Sequence, residues 1–121
     1  MNHIAPALAA RLASPAQPDP MEAYRRQTLA LVRREGPDLS ARQMGVFLTV
    51  YLQDGPHTVR GLAGALDVSK PAITRALDRL EEMDLARRAT DPADRRSVLM
   101  QRTTRGAALL REMRGIVGGV S

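Results

Sequence analysis

The stretch TVRGLAGALDVSKPAITRALDRLEEM, Thr58 to Met83, decides how the rest of the chain is read. Thr58 precedes a run with Leu62, Ala63 and Leu66 at helical spacing, so it is expected to cap a short helix over Val59–Leu66. Asp67-Val68 leaves room only for a turn. Ser69 then caps a second helix, with Pro71 in its first turn, where a missing N–H is no loss. Val68 and Ile73 have the spacing of a hydrophobic staple. The second helix is expected to run from Lys70 to about Met83. At about 100° per residue, Leu77 and Leu80 fall close to Ile73, and Ala76 and Met83 flank that stripe. Pro71, Arg75, Asp78, Arg79 and Glu82 take the opposite side, so one face is buried and the other is polar and arginine-bearing. Two helices joined by so short a turn form a helix-turn-helix, which offers its second helix as a recognition element.

Working outward, the same punctuation recurs. Asp19-Pro20-Met21-Glu22 reads as a capping box with proline at the first helical position, opening a helix to Arg34 or Glu35 that Gly36-Pro37 stops. Ser40-Ala41-Arg42-Gln43 is a second capping box, with Leu39 and Met44 at staple spacing and Val46, Phe47, Val50 and Tyr51 forming a buried face. Asp54-Gly55-Pro56 ends that helix. Downstream, LARRAT (Leu85–Thr90) and VLMQRT (Val98–Thr103) read as short strands around a charged tip, DPADRRS, Asp91–Ser97. Thr103 or Thr104 starts a last helix of about a dozen residues. The fold class expected is mainly α with a small β-hairpin, a winged helix-turn-helix over residues 19–115. Residues 1–18, rich in alanine and proline, read as a flexible tail, and residues 116–121 as a loose end.

The tip now has a chemical reading. A narrow minor groove concentrates negative potential, and a guanidinium placed in it gains from that potential. Asp94 stands beside Arg95 and Arg96, where a carboxylate can hold an arginine fork in place beforehand. A solvated Asp–Arg pair that merely steadies a hairpin would contribute only about 0–1 kcal/mol. Placed directly after a helix-turn-helix, the tip is read as a DNA-contacting wing.

Bulk properties bound these readings. At 121 residues the chain suits one domain, and with aromatics at 2% its core must be built from aliphatic residues, alanine and methionine. The formal charge of +5 favours polyanionic partners. Every basic residue except Lys70 is arginine, a codon-usage pattern, so placement carries the information rather than abundance. With no cysteine there is no disulfide framework, thiol sensor or thiolate metal site. The apolar runs are too short to span a bilayer and no basic leader precedes the first of them, so a cytoplasmic protein without membrane contact is expected. His3 and His57 have no partners at metal spacing, and no phosphate-cradling glycine loop or paired nucleophile is present. Neither a cofactor, a metal nor an enzymatic activity is expected. Arg87 and Arg88 alternate on the first wing strand, one to support the hairpin and one to face solvent, and neither is assigned to DNA.

Taken together, LSARQMGVFLTV, HTVRGLAGALDVSKPAITRALDRLEEMDLARR and DPADRRSVLMQRTTRGAALL resemble the multiple-antibiotic-resistance regulator (MarR) family, from Leu39 to about Met113. The most specific element is the wing pattern of acid, any residue, arginine, here Asp94-Arg95-Arg96. The resemblance implies a sequence-specific double-stranded-DNA-binding transcriptional regulator, a repressor by default. It implies major-groove contacts from Ser69, Lys70, Pro71, Thr74 and Arg75, with Arg79 near phosphate; Lys70, opposed to the helix dipole, is itself read as a phosphate contact. It also implies minor-groove insertion of Arg96, oriented by Asp94, with Arg95 beside it. A homodimer and a small-molecule effector are implied as well. The family has glycine where Asp67 and Asp84 stand, and aspartate tolerates the left-handed backbone those turns need. It has leucine at Arg102, so the second wing strand is expected to be less buried. Against the family's long terminal helices, the chain reads as shortened at both ends. The alternative from another class is a winged-helix interaction module, or accessory factor, that binds a partner protein rather than DNA.

Overall fold

A computed structural model describes residues 19–118. The expected tail, residues 1–18, and the last three residues of the expected loose end lie outside the described residues. Within them the chain forms α1 (Pro20–Arg33), α2 (Ala41–Leu52), β1 (His57–Thr58), α3 (Val59–Leu66), α4 (Lys70–Glu82), β2 (Ala86–Asp91), β3 (Asp94–Arg102) and α5 (Thr104–Val117). The strands form one antiparallel sheet in the order β1-β3-β2. The mainly helical winged helix-turn-helix expected from the sequence is the fold observed.

Local chemistry sets the helix starts. Ser40 Oγ accepts from Gln43 N, and the Gln43 side chain accepts in return from Ser40 N, which completes a capping box. Thr58 caps α3 by accepting from Gly61 N, and Ser69 caps α4 by accepting from Ala72 N. Asp19 caps α1 through Met21 N, but Glu22 does not close the expected box. Its carboxylate is held instead by Arg25, at 2.7 Å, and by Arg26. Two turns use aspartate in the left-handed region, Asp67 at φ 55° and Asp84 at φ 57°. Helix α1 ends at Arg33, with Arg34 already extended, and Gly36 takes the positive φ. Helix α5 runs through Gly115 to Val117.

The core sits where α2, α4 and the sheet meet. Val46, Phe47, Val50, Ile73, Leu77 and Leu80 are fully buried, joined by Leu62, Leu85, Met100, Leu109 and Met113. This is the stripe that helical periodicity marks on α4 and α2. Tyr51 closes the core at the point where three chain segments converge. Its hydroxyl donates to Leu85 O at 2.6 Å and accepts from Thr103 N at 2.9 Å. Thr103 in turn donates its hydroxyl to Asp84 O and accepts from Gly106 N as the cap of α5. Arg102 lies above the Tyr51 ring and donates to Val50 O and Gln53 O, carbonyls at the end of α2. The side chain at 102 is exposed, as expected, but it is a helix-terminus ligand and not merely a solvated strand residue.

Two features depart from the sequence reading. Strand β1 was not legible as a strand: its two residues pair with Leu99 and Met100 and tie the helix-turn-helix to the wing. The charged knot is also mostly strand. Only Pro92 and Ala93 form the turn, because β2 extends to Asp91 and β3 begins at Asp94, with a bulge at Thr90/Asp91.

The Tyr51 junction leaves no room at Gly106. A Cβ there would collide with the Tyr51 hydroxyl and with Leu85 O. Gly106→Ala is expected to destabilise the protein by about 2–3 kcal/mol through overpacking and disruption of the hydroxyl's hydrogen bonds. Tyr51→Phe is expected to cost about 1–3 kcal/mol, since Leu85 O and Thr103 N are then left without a partner. Urea denaturation followed by circular dichroism checks both; a Gly106→Ala midpoint equal to wild type would refute the crowding argument.

Candidate nucleic-acid interface

The outer face of α4 is built by exclusion. Its inner positions are committed to the core, so Lys70, Pro71, Thr74 and Arg75 are left exposed on the first two turns. Lys70 occupies the first helical position, where a positive charge opposes the helix dipole. Ser69 is engaged as the N-cap and keeps an exposed position beside Lys70. Neither Lys70 nor Arg75 has an ion-pair partner among the described residues.

The acids of α4 are all accounted for on its C-terminal half. Glu82 pairs with Arg79 at 3.3 Å, which turns the Arg79 guanidinium along the helix and away from the first turns. Asp78 and Glu81 both receive Arg88 from β2, at 2.6 and 2.8 Å. Glu81 also accepts from Arg88 N at 3.2 Å. Those hydrogen bonds, first from the backbone and then from the guanidinium, hold the Glu81 carboxyl below the usual carboxylate range. The same pairing pushes Arg88 further up, with Glu81 the larger cause and Asp78 the next. Of the two arginines on the first wing strand, Arg88 supports the hairpin and Arg87 is exposed.

At the wing tip, Asp91 accepts from Ala93 N, and Asp94 accepts from Arg96 N at 3.1 Å and from the Ser97 hydroxyl at 3.3 Å. The expected contact between the Asp94 carboxylate and an arginine fork is not formed; Asp94 fixes the backbone at Arg96 and leaves its guanidinium exposed. The reason is reach. The N–H two residues on lies within range of a short carboxylate in any tight turn, and a long guanidinium is held there only at an entropic cost. Strand alternation separates the two tip arginines. Arg96 shares the β3 face of Val98 and buried Met100, the face toward the helices, and Arg95 takes the opposite one.

Of the residues singled out in the sequence, the structure brings Lys70, Asp94 and Arg96 to one cleft of about 460 Å³. Arg60, on the first turn of α3, joins them there, along with Thr58 and Val59. Thr74 and Arg75 lie on the neighbouring exposed face of α4, and Arg79 and Arg95 stand apart from the cleft. Arg60 was not legible as a site residue. Its only sequence signal was a cation two residues after a helix cap, beside a strand too short to recognise.

A tight helix pair followed by a two-stranded wing, with a third strand contributed from before the pair, defines a winged helix-turn-helix protein. Residues 39–98 match the model of the MarR family. The chain is 34% identical over 94 residues to the HTH-type transcriptional repressor NicR of Pseudomonas putida, covering 76% of this chain and 58% of NicR. It is 35% identical over 74 residues to the HTH-type transcriptional regulator PecS of Dickeya dadantii, covering 60% of this chain and 45% of PecS. The chain thus spans about half the length of these curated relatives. A point mutant of S. aureus MepR bound to oligodeoxyribonucleotide superposes with a TM-score of 0.70 at 25% identity, covering 83% of this chain and 73% of that one. The chain belongs to the MarR family.

The Arg88 cluster has a pH signature. A carboxylate whose pKa is depressed on folding adds stability above its unfolded pKa, and that stability disappears as the pH falls through the folded value. Arg88→Ala is therefore expected to lower unfolding free energy at pH 7 by about 1 kcal/mol, given the partial exposure of all three partners. The deficit should shrink as the solution is acidified below the Glu81 pKa, where protonation weakens the same pairing in wild type. Urea melts of both proteins across the acid range check this, and a deficit independent of pH would exclude the carboxylates as its source.

Proposed function

We propose that this chain binds double-stranded DNA sequence-selectively as a MarR-type transcriptional regulator in the cytoplasm, acting by binding rather than catalysis. The observation that carries the reading is the disposition of charge: Lys70 and Arg75, unpaired among the described residues, lie on the exposed first turns of α4, and Arg96 is exposed on the helix-facing side of the wing. In this reading α4 enters the major groove with Lys70, Pro71, Thr74 and Arg75 foremost, and Arg96 enters the adjacent minor groove. Family membership supports it, as does a structural neighbour solved with an oligodeoxyribonucleotide. Repression is the mode adopted, in line with the name of NicR. No helix among the described residues is long and apolar enough to cross a membrane.

A homodimer fits the same picture. Helices α1 and α5 lie against each other, joined by Arg34–Glu112 at 3.1 Å, and leave Met21, Tyr24, Val32 and Val117 exposed. Burial of that apolar surface by a second copy would favour an inverted-repeat site with half-sites about one helical turn apart. Between α1, α2 and α5 lies a cavity of about 400 Å³ lined by Leu31, Leu39, Met44, Leu109 and Met113, a seat of suitable character for a small apolar effector.

The test is selection of genomic fragments followed by titration. Wild type should enrich a palindromic sequence. Arg75→Ala and Arg96→Ala should each weaken binding to it by about tenfold or more, corresponding to roughly 1–3 kcal/mol. No enrichment at low salt, with both variants indistinguishable from wild type, would sink the DNA reading and favour a protein-binding module.

A further inference from the structure

The cleft between the first turn of α3, the first turn of α4 and the start of β3 is lined by Arg60, Lys70 and Arg96, three cations drawn from three separate elements. None of them has a carboxylate partner among the described residues. Like charges brought together in excess of counter-charge repel, and such an arrangement is relieved by an anion. Asp94 brings one negative charge into the cleft, accepting from Arg96 N and the Ser97 hydroxyl rather than from a guanidinium or ammonium, and so offsets only one of the three cations. Thr58 is likewise engaged as a cap.

The position of the cleft identifies the anion. If α4 occupies a major groove and the wing the adjacent minor groove, the strand that separates the two grooves must pass between α4 and the wing. The cleft lies at that place. Its third wall is α3, which contributes Arg60.

We propose that this cleft seats a backbone phosphodiester of the strand dividing the two grooves, with Arg60 and Lys70 as its cationic contacts. The inference rests on the DNA-binding reading above and adds a residue and a role to it. Arg60 positions the duplex and reads no base. Lys70 acts here as a phosphate contact, which also relieves its unfavourable place at the positive end of α4. Arg96 rims the cleft with its backbone pinned, so the clamped strand sets the depth at which its guanidinium enters the minor groove.

The experiment is a salt titration of operator binding for wild type, Arg60→Ala, Arg60→Lys and Arg60→Ala/Lys70→Ala, on the selected sequence and on a scrambled duplex. Removing one phosphate-binding cation lowers the slope of log affinity against log salt by about 0.9. Arg60→Ala should lower the slope by about one such step, the double variant by about two, and Arg60→Lys should restore most of the single effect. Affinity should fall by the same factor on both duplexes, leaving their ratio unchanged. Because Arg60 is exposed and unpaired among the described residues, the thermal melt of Arg60→Ala should match wild type. A slope unchanged by Arg60→Ala, or a weakening confined to the selected sequence, overturns the phosphate seat while the DNA reading stands. A wild type that binds neither duplex overturns both.

Discussion

The hydroxyl of Tyr51 is the point from which the rest of this domain is aligned. One buried oxygen joins the last turn of α2, the carbonyl where α4 turns into β2, and the N–H where β3 turns into α5. Leu85 O would otherwise be a buried acceptor without a partner and Thr103 N a half-buried donor without one, which costs more than one hydrogen bond contributes. The close approach is possible because residue 106 has no side chain. Arg102 then satisfies the last carbonyls of α2 from above. The angle of the wing relative to the helices thus depends on satisfaction of backbone groups at this junction.

A second constraint acts on α4. A helix with acids and arginines mixed along its polar side would present little net charge if all were free. Here the acids lie toward its C-terminal half and are consumed within the chain, Glu82 by Arg79 and Asp78 and Glu81 by Arg88. The first turns keep only Lys70 and Arg75. The same contacts fasten β2 to the helix, so one cluster both sharpens the charge of the exposed face and holds the hairpin beside it. Removing the acids' partners would therefore change the field of α4 and the placement of the wing together.

What was legible in the sequence is local. Ser40, Thr58 and Ser69 act within three residues of themselves, and the stripe of Ile73, Leu77 and Leu80 repeats with the helix period, so caps, helices and core face could be read directly. Asp67 and Asp84 stand where a left-handed residue is required, and both adopt it. What was not legible depends on contacts distant in sequence. Strand β1 exists only because β3 supplies its hydrogen bonds from more than forty residues away. Arg60 becomes part of a site only when α3, α4 and β3 are brought together. Arg88 and Arg87 are indistinguishable as letters, and only the packing of β2 on α4 separates them. Glu22 failed as a box partner because Arg25 and Arg26, a turn away, compete for the same carboxylate.

The wing shows how a pattern can be right in its residues and different in its physics. The motif of acid, any residue, arginine suggests a carboxylate gripping a guanidinium. In this fold Asp94 grips the peptide N–H of Arg96 and the Ser97 hydroxyl, while Asp91 does the same for Ala93. The two acids stiffen a two-residue turn whose residues, Pro92 and Ala93, are exposed. A guanidinium tied to Asp94 would have to break that pair before entering a groove, giving back what its ordering had saved. A free guanidinium on a fixed backbone gives up its own rotamer entropy on insertion, about 2 kcal/mol at most, but breaks nothing. The strand direction already separates Arg96 from Arg95, so the turn needs to fix only where the Cα sits. Precision at the backbone and freedom at the side chain are compatible, and a short carboxylate within two residues of the N–H achieves both.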